Sequence, residues 1–287
     1  MSKKSSNFAG EMKKLLYIVA AMMLLAGCGK PVQKAQVGTI ERDTLLGVPC
    51  CVYLPHDYAV RAEKEVFPVL YLQHGMYGNE DDWVCQGDLL TVMDSLLCAG
   101  LVKEMVVVMP DNFLGSLAPE EREALMNAPE LTPDGEQIDT SAGSAHWRKL
   151  TSEQEKNYET SGYWEEHFAR FMAEAERRYP ISDQPCQRAI AGLSMGGYHT
   201  MRVATLLDGR FAYVGMFSPA TFVHQAPTAN GLLWIGIGNE DFLYGSLQDY
   251  RKWLEVRHKE YMYYESDGGH TWTNWKDYIG KFLTRIF

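Results

Sequence analysis

The residues that most clearly indicate chemistry are the five from Gly192 to Gly196, which read Gly-Leu-Ser-Met-Gly. In the Gly-x-Ser-x-Gly pattern the serine lies on a strained turn between a strand and a helix, and the glycines let these two elements approach closely. The apolar run over 186–191 predicts the strand, and the apolar spacing over 197–207 predicts the helix. This context favours a nucleophilic role for Ser194 over an ordinary turn.

A serine hydroxyl is a poor nucleophile at neutral pH, so this interpretation requires a histidine base and an acid that orients the histidine. The apolar segment 231–238 predicts a buried strand, and Asp241 follows its end. A further predicted strand over 261–265 leads into the loop that carries His270. Since functional groups collect at the carboxyl ends of parallel strands, we expect Asp241 and His270 to meet Ser194 at one edge of the sheet.

Two neighbouring acids remain alternatives to Asp241. Glu240 should point to the other side of the chain. Asp267 lies so near His270 in sequence that it should not reach the far nitrogen of the ring. The chain order Ser194, Asp241, His270 is the order used by the α/β-hydrolase fold.

An oxyanion hole needs two backbone N–H groups, one from the residue after the nucleophile and one from a loop after an early strand. Met195 supplies the first. The predicted strand 67–73 ends in a glycine-rich turn, where Met76 is the expected second donor and Tyr77 the alternative. His74, at the start of this turn, has a second interpretation as a hydrogen-bonded structural residue.

The elements that must position these residues follow a regular order. Strands and helices alternate from about residue 67 onward, which predicts a parallel sheet with helices on both faces. The segments 39–46 and 50–54 predict an antiparallel hairpin before it. We therefore expect a single α/β catalytic domain of α/β-hydrolase fold over 38–287.

The segment 113–157 interrupts this alternation, because it is polar and rich in turn residues. Long segments of this kind are usually functional lids or disordered excursions. We expect an inserted loop or cap with a short helix over 120–127, and Trp147 could reach the site as a sugar or aryl contact. A solvated surface loop is the alternative.

The N-terminus carries the features of an export signal. Lysines precede an apolar run over 15–26 that is too short to span a bilayer but matches the core of a signal peptide. The run ends in Leu-Ala-Gly-Cys, which resembles a bacterial lipobox. The resemblance implies a signal segment over 1–28, lipidation of Cys28 and a tether over 29–37. We expect an exported lipoprotein of the cell envelope, on the outer membrane or periplasmic face, that contacts the membrane only through its lipid; an ordinary secretory signal is the alternative.

Several segments together resemble the esterase D group of α/β-hydrolases, and the resemblance spans about 38–287. They are the segments 72–83, 192–197, 238–242 and 268–275. The last of them, Gly-Gly-His-Thr-Trp-Thr-Asn-Trp, is the most specific. The group includes feruloyl, acetyl and enterobactin esterases and S-formylglutathione hydrolase. The resemblance implies a serine carboxylesterase with Ser194 as nucleophile, Asp241 as acid and His270 as base; the long segment 113–157 departs from the simplest members.

The resemblance and the expected envelope location imply a feruloyl or acetyl ester of plant hemicellulose as the substrate. A siderophore trilactone of the enterobactin type is the alternative within the same chemistry. Acyl transfer to a sugar acceptor and glycan binding without turnover are alternatives of other kinds. The candidate pocket residues are the aromatic side chains of Tyr77, Trp83, Trp147 and Trp272. Trp275 belongs to the apolar stripe of a predicted C-terminal helix, so we expect it to pack against the sheet.

Composition argues against other classes of protein. The net charge of −10 leaves no basic stripe to replace phosphate counterions, so we expect no nucleic-acid partner. The histidines are scattered and no Cys-x-x-Cys or His-Glu-x-x-His spacing occurs, so we expect no metal. The expected chemistry also requires no cofactor, and no glycine-rich phosphate loop occurs.

The cysteines give little guidance. The sequence has six, and one of them, Cys28, is assigned to the lipid. The remaining odd number cannot all pair, and we expect mostly buried free thiols. A disulfide between Cys85 and Cys98 is conceivable in an exported protein.

Overall fold

The computed structural model describes residues 38–126, 156, 162–222 and 225–287. In these ranges eight strands form one sheet in the order β1-β2-β4-β3-β5-β6-β7-β8. The strands are β1 (Thr39–Leu45), β2 (Val48–Leu54), β3 (Val69–Gln73), β4 (Val106–Pro110), β5 (Arg188–Leu193), β6 (Tyr213–Phe217), β7 (Leu232–Gly238) and β8 (Met262–Ser266). Neighbours from β4 to β8 pair in parallel, whereas β2 pairs antiparallel with both β1 and β4. The predicted hairpin and parallel sheet are confirmed.

The middle strands are buried along their whole length because both faces of the sheet are covered. β3 reads Val-Leu-Tyr-Leu-Gln and β4 reads Val-Val-Val-Met-Pro, and every residue of both is buried. Continuous apolar runs of this kind are typical of parallel strands with helices on both sides. β1 is mostly exposed, as befits a strand at the edge of a sheet.

Helices cover the two faces. They are α1 (Tyr58–Arg61), α2 (Asp82–Cys85), α3 (Leu89–Cys98), α4 (Asn112–Gly115), α5 (Pro119–Met126), α6 (Tyr163–Arg178), α7 (Met195–Leu206), α8 (Tyr244–Val256) and α9 (Trp272–Leu283). In β3, Tyr71 belongs to one apolar cluster and Leu72 to another, so the two clusters lie on opposite faces of the sheet. Helices α6, α7 and α8 contribute to the first cluster, and α3 and α9 to the second.

The C-terminal helix has the predicted apolar stripe. Along α9 the side chains of Trp275, Ile279, Phe282 and Leu283 are buried, and Ile286 beyond the helix is buried too. These residues recur at a spacing of three and four, which places them on one face of a helix. The stripe packs α9 against the sheet. The first residue of α9, Trp272, lies at the edge of the sheet where the site is.

The described part of the predicted insertion is mainly its beginning. Helix α5 covers Pro119–Met126, so the short helix expected over 120–127 is present with slightly different ends. Arg122 holds α5 on the domain, because its guanidinium is buried and donates to three backbone oxygens. These are the carbonyls of Leu46 (2.8 Å), Leu114 (2.8 Å) and Leu117 (3.0 Å).

The five cysteines within the described ranges are all free. Cys50 and Cys51 are buried on β2, whereas Cys85, Cys98 and Cys186 are exposed. No Cys85–Cys98 disulfide is present, and the expectation of mostly buried thiols is wrong. Cys85 and Cys98 are the last residues of α2 and α3, and Cys186 lies in a short 3-10 turn before β5, so all three are where the chain reaches the surface.

None of the helices in the described part of the chain is long and apolar enough to cross a bilayer. The same residues contain no group of three or more His, Cys, Asp or Glu side chains that could hold a metal ion. The predicted signal segment 1–28, its Cys28 and the tether 29–37 lie outside the described residues.

Candidate active site

Ser194 lies on a sharp turn between β5 and α7, where the sequence pattern places it. Its backbone dihedrals are φ 53° and ψ −118°, a combination that residues with a side chain rarely adopt. A Cβ at Gly192 would overlap the carbonyl oxygen of Gly196, and a Cβ at Gly196 would overlap that of His74. Both glycines are therefore needed for the strand and helix to hold the serine in this turn.

Hydrogen bonds connect the three predicted catalytic side chains. His270 Nε2 lies 2.9 Å from Ser194 Oγ, and His270 Nδ1 lies 2.8 Å from Asp241 Oδ2. An ionised carboxylate can only accept, so the Nδ1 proton points at Asp241 and Nε2 is left to accept the serine proton. The structure thus brings Ser194, His270 and Asp241 into the geometry of a nucleophile, a base and an orienting acid.

The environment of Asp241 keeps its carboxylate ionised. The side chain is almost fully buried, and burial alone would raise the pKa of Asp241. The hydrogen bond from His270 and a second one from the Leu243 amide (2.9 Å) outweigh burial and hold this pKa below its ordinary value. An ionised Asp241 can stabilise the imidazolium that forms when His270 takes a proton.

The two alternative acids have other positions. Glu240 is exposed. Asp267 accepts a hydrogen bond from the side-chain amide of Asn239 (3.1 Å). The single Nδ1 proton of His270 is directed at Asp241, so neither alternative acid is its partner in this structure.

The loop that carries His270 is held by its neighbours. The Asn239 side chain accepts from the Gly268 amide (3.2 Å), and the Asn274 side chain donates to the Gly269 carbonyl (2.8 Å). The rings of Phe242 and Trp275 lie 4.6 Å and 4.8 Å from the His270 ring. These contacts hold the imidazole in place, which favours proton transfer over rotation away from the serine.

The turn predicted to form half of the oxyanion hole is also rigid. His74 is buried, with Nδ1 2.7 Å from the Gly75 carbonyl and Nε2 3.1 Å from the Asn112 amide. The Asn112 amide can only donate, so His74 is the neutral tautomer with its proton on Nδ1. Asn112 also donates from its side chain to the His74 carbonyl (3.1 Å). His74 is a structural residue, and it fixes the turn that presents Met76.

A cavity of about 400 Å³ opens above Ser194 and His270. Both predicted oxyanion residues, Met76 and Met195, line it together with the nucleophile. Tyr77, the alternative donor, also lines it and has a left-handed backbone at φ 63°. The lining is otherwise mainly apolar and aromatic, which is typical of a site for an organic ligand.

One of the predicted aromatic contacts has to be corrected, and Trp275, which packs as predicted, has a second role. Trp83 does not line the cavity, because it is buried with its indole N–H donating to the Gln73 carbonyl (3.1 Å). Trp275 does line the cavity, although we expected it only to pack against the sheet. Trp272 is part of the lining as predicted, and Trp147 lies outside the described residues.

Sequence reasoning missed several lining residues. Those with polar or aromatic side chains are Asp82, Gln86, Phe222 and Phe242. Phe242 is adjacent to Asp241, and that adjacency was a usable signal. Phe222 and Phe242 are 60% and 76% exposed, and with Tyr77 at 43% they form an exposed aromatic rim of the cavity.

Ser194, Asp241 and His270 follow one another in this order along the chain and meet at the carboxyl edge of a parallel sheet. This arrangement defines an α/β-hydrolase of the serine type. A model of the Esterase family, described as "Putative esterase", matches residues 118–254, which include Ser194 and Asp241. Over these residues the chain is similar to that esterase family.

Two curated relatives of the chain are also esterases. An endo-1,4-beta-xylanase/feruloyl esterase of Xylanibacter ruminicola is 30% identical over 203 residues, which cover 66% of this chain and 22% of that protein. An esterase of Mycobacterium tuberculosis is 29% identical over 196 residues, or 65% of this chain and 34% of that protein. The chain therefore spans about a third or less of these curated relatives.

Among solved structures, a ferulic acid esterase of Anaeromyces mucronatus in complex with ferulic acid superposes with a TM-score of 0.67. It is 21% identical, and the match covers 90% of this chain and 94% of that chain. This likeness shows that the fold is that of the α/β-hydrolases.

Proposed function

We propose that this protein is a serine carboxylesterase that releases an aromatic acid of the feruloyl type from plant hemicellulose. The observation that carries the proposal is the position of the hydrogen-bonded Ser194 and His270 in an aromatic-lined cavity of about 400 Å³. An acetyl group would fill a small part of that space, so we favour a feruloyl over an acetyl substrate. The feruloyl esterase named in the Xylanibacter relative supports the same choice.

In the proposed reaction, Ser194 Oγ attacks the carbonyl carbon of the ester. His270 Nε2, 2.9 Å away, takes the hydroxyl proton, and Asp241 stabilises the resulting imidazolium through Nδ1. The backbone amides of Met76 and Met195 donate to the oxyanion of the tetrahedral intermediate.

The intermediate collapses when its bond to the alkoxy oxygen breaks and His270 gives its proton to that oxygen. The alcohol leaves, and the acyl group remains esterified to Ser194. A water molecule then attacks the acyl carbon while His270 takes a proton from it. Return of this proton to Ser194 Oγ releases the carboxylic acid and restores the free enzyme.

The exposed aromatic rim supports a substrate that is larger than the cavity. Tyr77, Phe222 and Phe242 present apolar surface to solvent beside the catalytic histidine. Exposed apolar patches of this kind mark ligand grooves on soluble proteins. We propose that the rim contacts the sugar chain from which the ester is released.

We also propose that the protein is exported and held in the cell envelope by a lipid on Cys28. The apolar run over 15–26 and the Leu-Ala-Gly-Cys sequence at its end support this location. An envelope anchor would hold the esterase outside the cytoplasm, where polymeric substrates are accessible.

The test is hydrolysis of methyl ferulate, p-nitrophenyl acetate, acetylated xylan and a catechol trilactone by the protein and by its Ser194→Ala variant. We expect the highest kcat/KM for methyl ferulate and a loss of about 10,000-fold or more in the variant. Equal rates in both proteins would overturn the esterase proposal. Preference for acetylated xylan or for the trilactone would overturn the choice of acyl group and leave the serine mechanism in place.

A further inference from the structure

One end of the cavity carries polar side chains that the proposed reaction does not use. Asp82 begins helix α2, and Gln86 follows its last residue. Both line the cavity, and the Gln86 side-chain amide donates to Asp82 Oδ1 at 3.0 Å. Polar side chains that converge on an otherwise apolar pocket usually fix the orientation of a ligand.

The Asp82 carboxylate is an unusual group to find in such a lining. It is only 8% exposed, and no lysine or arginine within the described ranges forms an ion pair with it. Burial raises the pKa of Asp82, and the hydrogen bonds from the Gln86 side chain and the Asn79 amide only partly offset this effect. A buried carboxylate is an acceptor for further donors, because its two oxygens offer about four lone-pair sites.

An aromatic wall leads from the reacting groups toward this carboxylate. The Trp275 ring lies 4.8 Å from the His270 ring, and the Trp272 ring lies 5.2 Å from that of Trp275. The Trp272 ring in turn lies 5.2 Å from Trp83, the residue that follows Asp82 on α2. Trp272 and Trp275 both line the cavity, so a flat ring can lie along the wall between the catalytic histidine and α2.

We propose that Asp82 and Gln86 form a subsite for a hydroxyl group on a ring of the substrate, with that ring against Trp272. This inference rests on the proposed esterase function and specifies the substrate further. One of the two N–H donors of the Gln86 amide is used by Asp82, so the pair offers mainly acceptor oxygens, those of Asp82 and Gln86 Oε1. A hydroxyl, which donates, is accepted; a methoxy group, which cannot donate, and a carboxylate, which repels Asp82, are disfavoured.

The ring hydroxyl has two possible sources, a phenol on the acyl group and a sugar hydroxyl on the alcohol. The first arm of the test compares kcat/KM for methyl 4-hydroxycinnamate and methyl 4-methoxycinnamate. The second arm compares unsubstituted cinnamate esterified to methanol and to arabinose. A hydrogen bond to a charged group changes such a ratio by on the order of 10- to 100-fold. A preference in the first arm assigns the phenol, and a preference confined to the second assigns the sugar.

The variants are Asp82→Asn and Gln86→Leu, with Asp88→Asn as the control. Asp88 is exposed, makes no side-chain cap and lies outside the cavity lining. The hydroxyl preference is the ratio of kcat/KM for the ester with the hydroxyl to that for the ester without it. We expect this ratio to fall close to unity in Asp82→Asn, to fall partly in Gln86→Leu and to persist in Asp88→Asn. Turnover of the unhydroxylated methyl ester should stay near wild type in Asp88→Asn; for Asp82→Asn and Gln86→Leu the measured quantity is the ratio of kcat/KM between the hydroxylated and the unhydroxylated ester. Gln86 is exposed, so its variant tests the proposal even where Asp82→Asn folds poorly.

Two results would overturn the subsite where hydrolysis still depends on Ser194. One is an unchanged hydroxyl preference in Asp82→Asn and Gln86→Leu, and the other is no hydroxyl preference of the wild type in either arm. Failure of the proposed function would be seen differently, as an absence of Ser194-dependent turnover for every ester. In that case, calorimetric binding of free 4-hydroxycinnamate to Ser194→Ala, with and without Asp82→Asn, tests the subsite by itself. Weaker binding in the double variant supports the subsite, and equal binding overturns it.

Discussion

Asp241 follows β7 and Asp267 lies on the loop that carries His270, and of these two acids Asp241 has the carboxylate oxygen at 2.8 Å from the ring. We expect Asp241→Asn to lower kcat by about 10,000-fold with little change in KM, because an amide no longer fixes the tautomer or stabilises the imidazolium. Asp267→Asn is the matched control and should retain nearly full activity. Steady-state kinetics on methyl ferulate measures both variants. A large loss of kcat in Asp267→Asn would contradict the assignment of Asp241 as the catalytic acid.

Phe242 is the most exposed aromatic side chain of the rim, at 76%. We expect Phe242→Ala to raise KM about 5-fold for a polymer-linked ester, which corresponds to a lost contact of about 1 kcal/mol. KM for methyl ferulate should change little because that ester does not extend beyond the cavity. Val256, also 76% exposed, lies away from the cavity lining, and Val256→Ala is the control. Equal changes in KM for both esters would contradict the rim's proposed role.

Helices α6 and α7 are joined by a buried charged cluster behind the nucleophile. Glu165 and His199 are each 1% exposed and lie 2.8 Å apart, and Arg202 lies 3.3 Å from the same carboxylate. Burial would raise the pKa of Glu165, but the hydrogen bond from His199 and the charges of His199 and Arg202 hold this pKa below its ordinary value. The pair fixes the position of α7, whose first residue follows Ser194.

We expect Glu165→Gln to lower the free energy of unfolding by about 3 kcal/mol near neutral pH, because it removes the buried counter-charge. A carboxyl whose folded pKa is depressed stabilises the fold above its unfolded pKa of about 4.3, and the effect is lost as pH falls through the folded pKa. The difference between wild type and variant should therefore narrow on acidification. Urea unfolding from neutral to acidic pH measures this difference in the free energy of unfolding, and Glu166→Gln, at the exposed neighbouring residue, is the control. A difference that does not change with pH would contradict a contribution from the charge of Glu165.

At the scale of elements, the sequence was informative where the signal is local. The Gly-x-Ser-x-Gly turn is dictated by close contacts of the backbone, so Ser194 could be assigned from five residues. Apolar runs identified β3 and β7, and their ends located Asp241. His270 could be placed because a strand delivers it to the same edge of the sheet.

The sequence was less informative about which aromatic residues face the cavity. Periodicity shows that Trp275 belongs to the apolar face of α9. It does not show that the first turn of this face borders the cavity, whereas the later turns of the helix pack in the core. Trp83 is directed inward because its indole N–H donates to the Gln73 carbonyl, a tertiary contact between α2 and the end of β3 that periodicity does not show. Asp82 and Gln86 have the spacing of side-chain neighbours on a helix, which was a usable but weak signal.

At the scale of the whole molecule, the predicted export signal can be tested apart from catalysis. We expect the full chain, expressed in a bacterium, to incorporate a labelled fatty acid and to fractionate with membranes. Cys28→Ala should abolish both, whereas Cys186→Ala, at an exposed cysteine of the catalytic domain, should change neither. Soluble, unlabelled wild-type protein would contradict lipidation.

The left-handed backbone of Ser194 has a consequence for the stability of the whole molecule. Residues with a side chain in such a conformation lose on the order of 1–3 kcal/mol, and glycine relieves that strain. We therefore expect Ser194→Gly to unfold with a free energy about 1 kcal/mol higher than Ser194→Ala, although both are inactive. Equal melting temperatures for the two would show that the turn is unstrained. If the difference is found, selection for stability alone would replace this serine by glycine. A lineage that keeps the serine would then be under selection for the function of its hydroxyl.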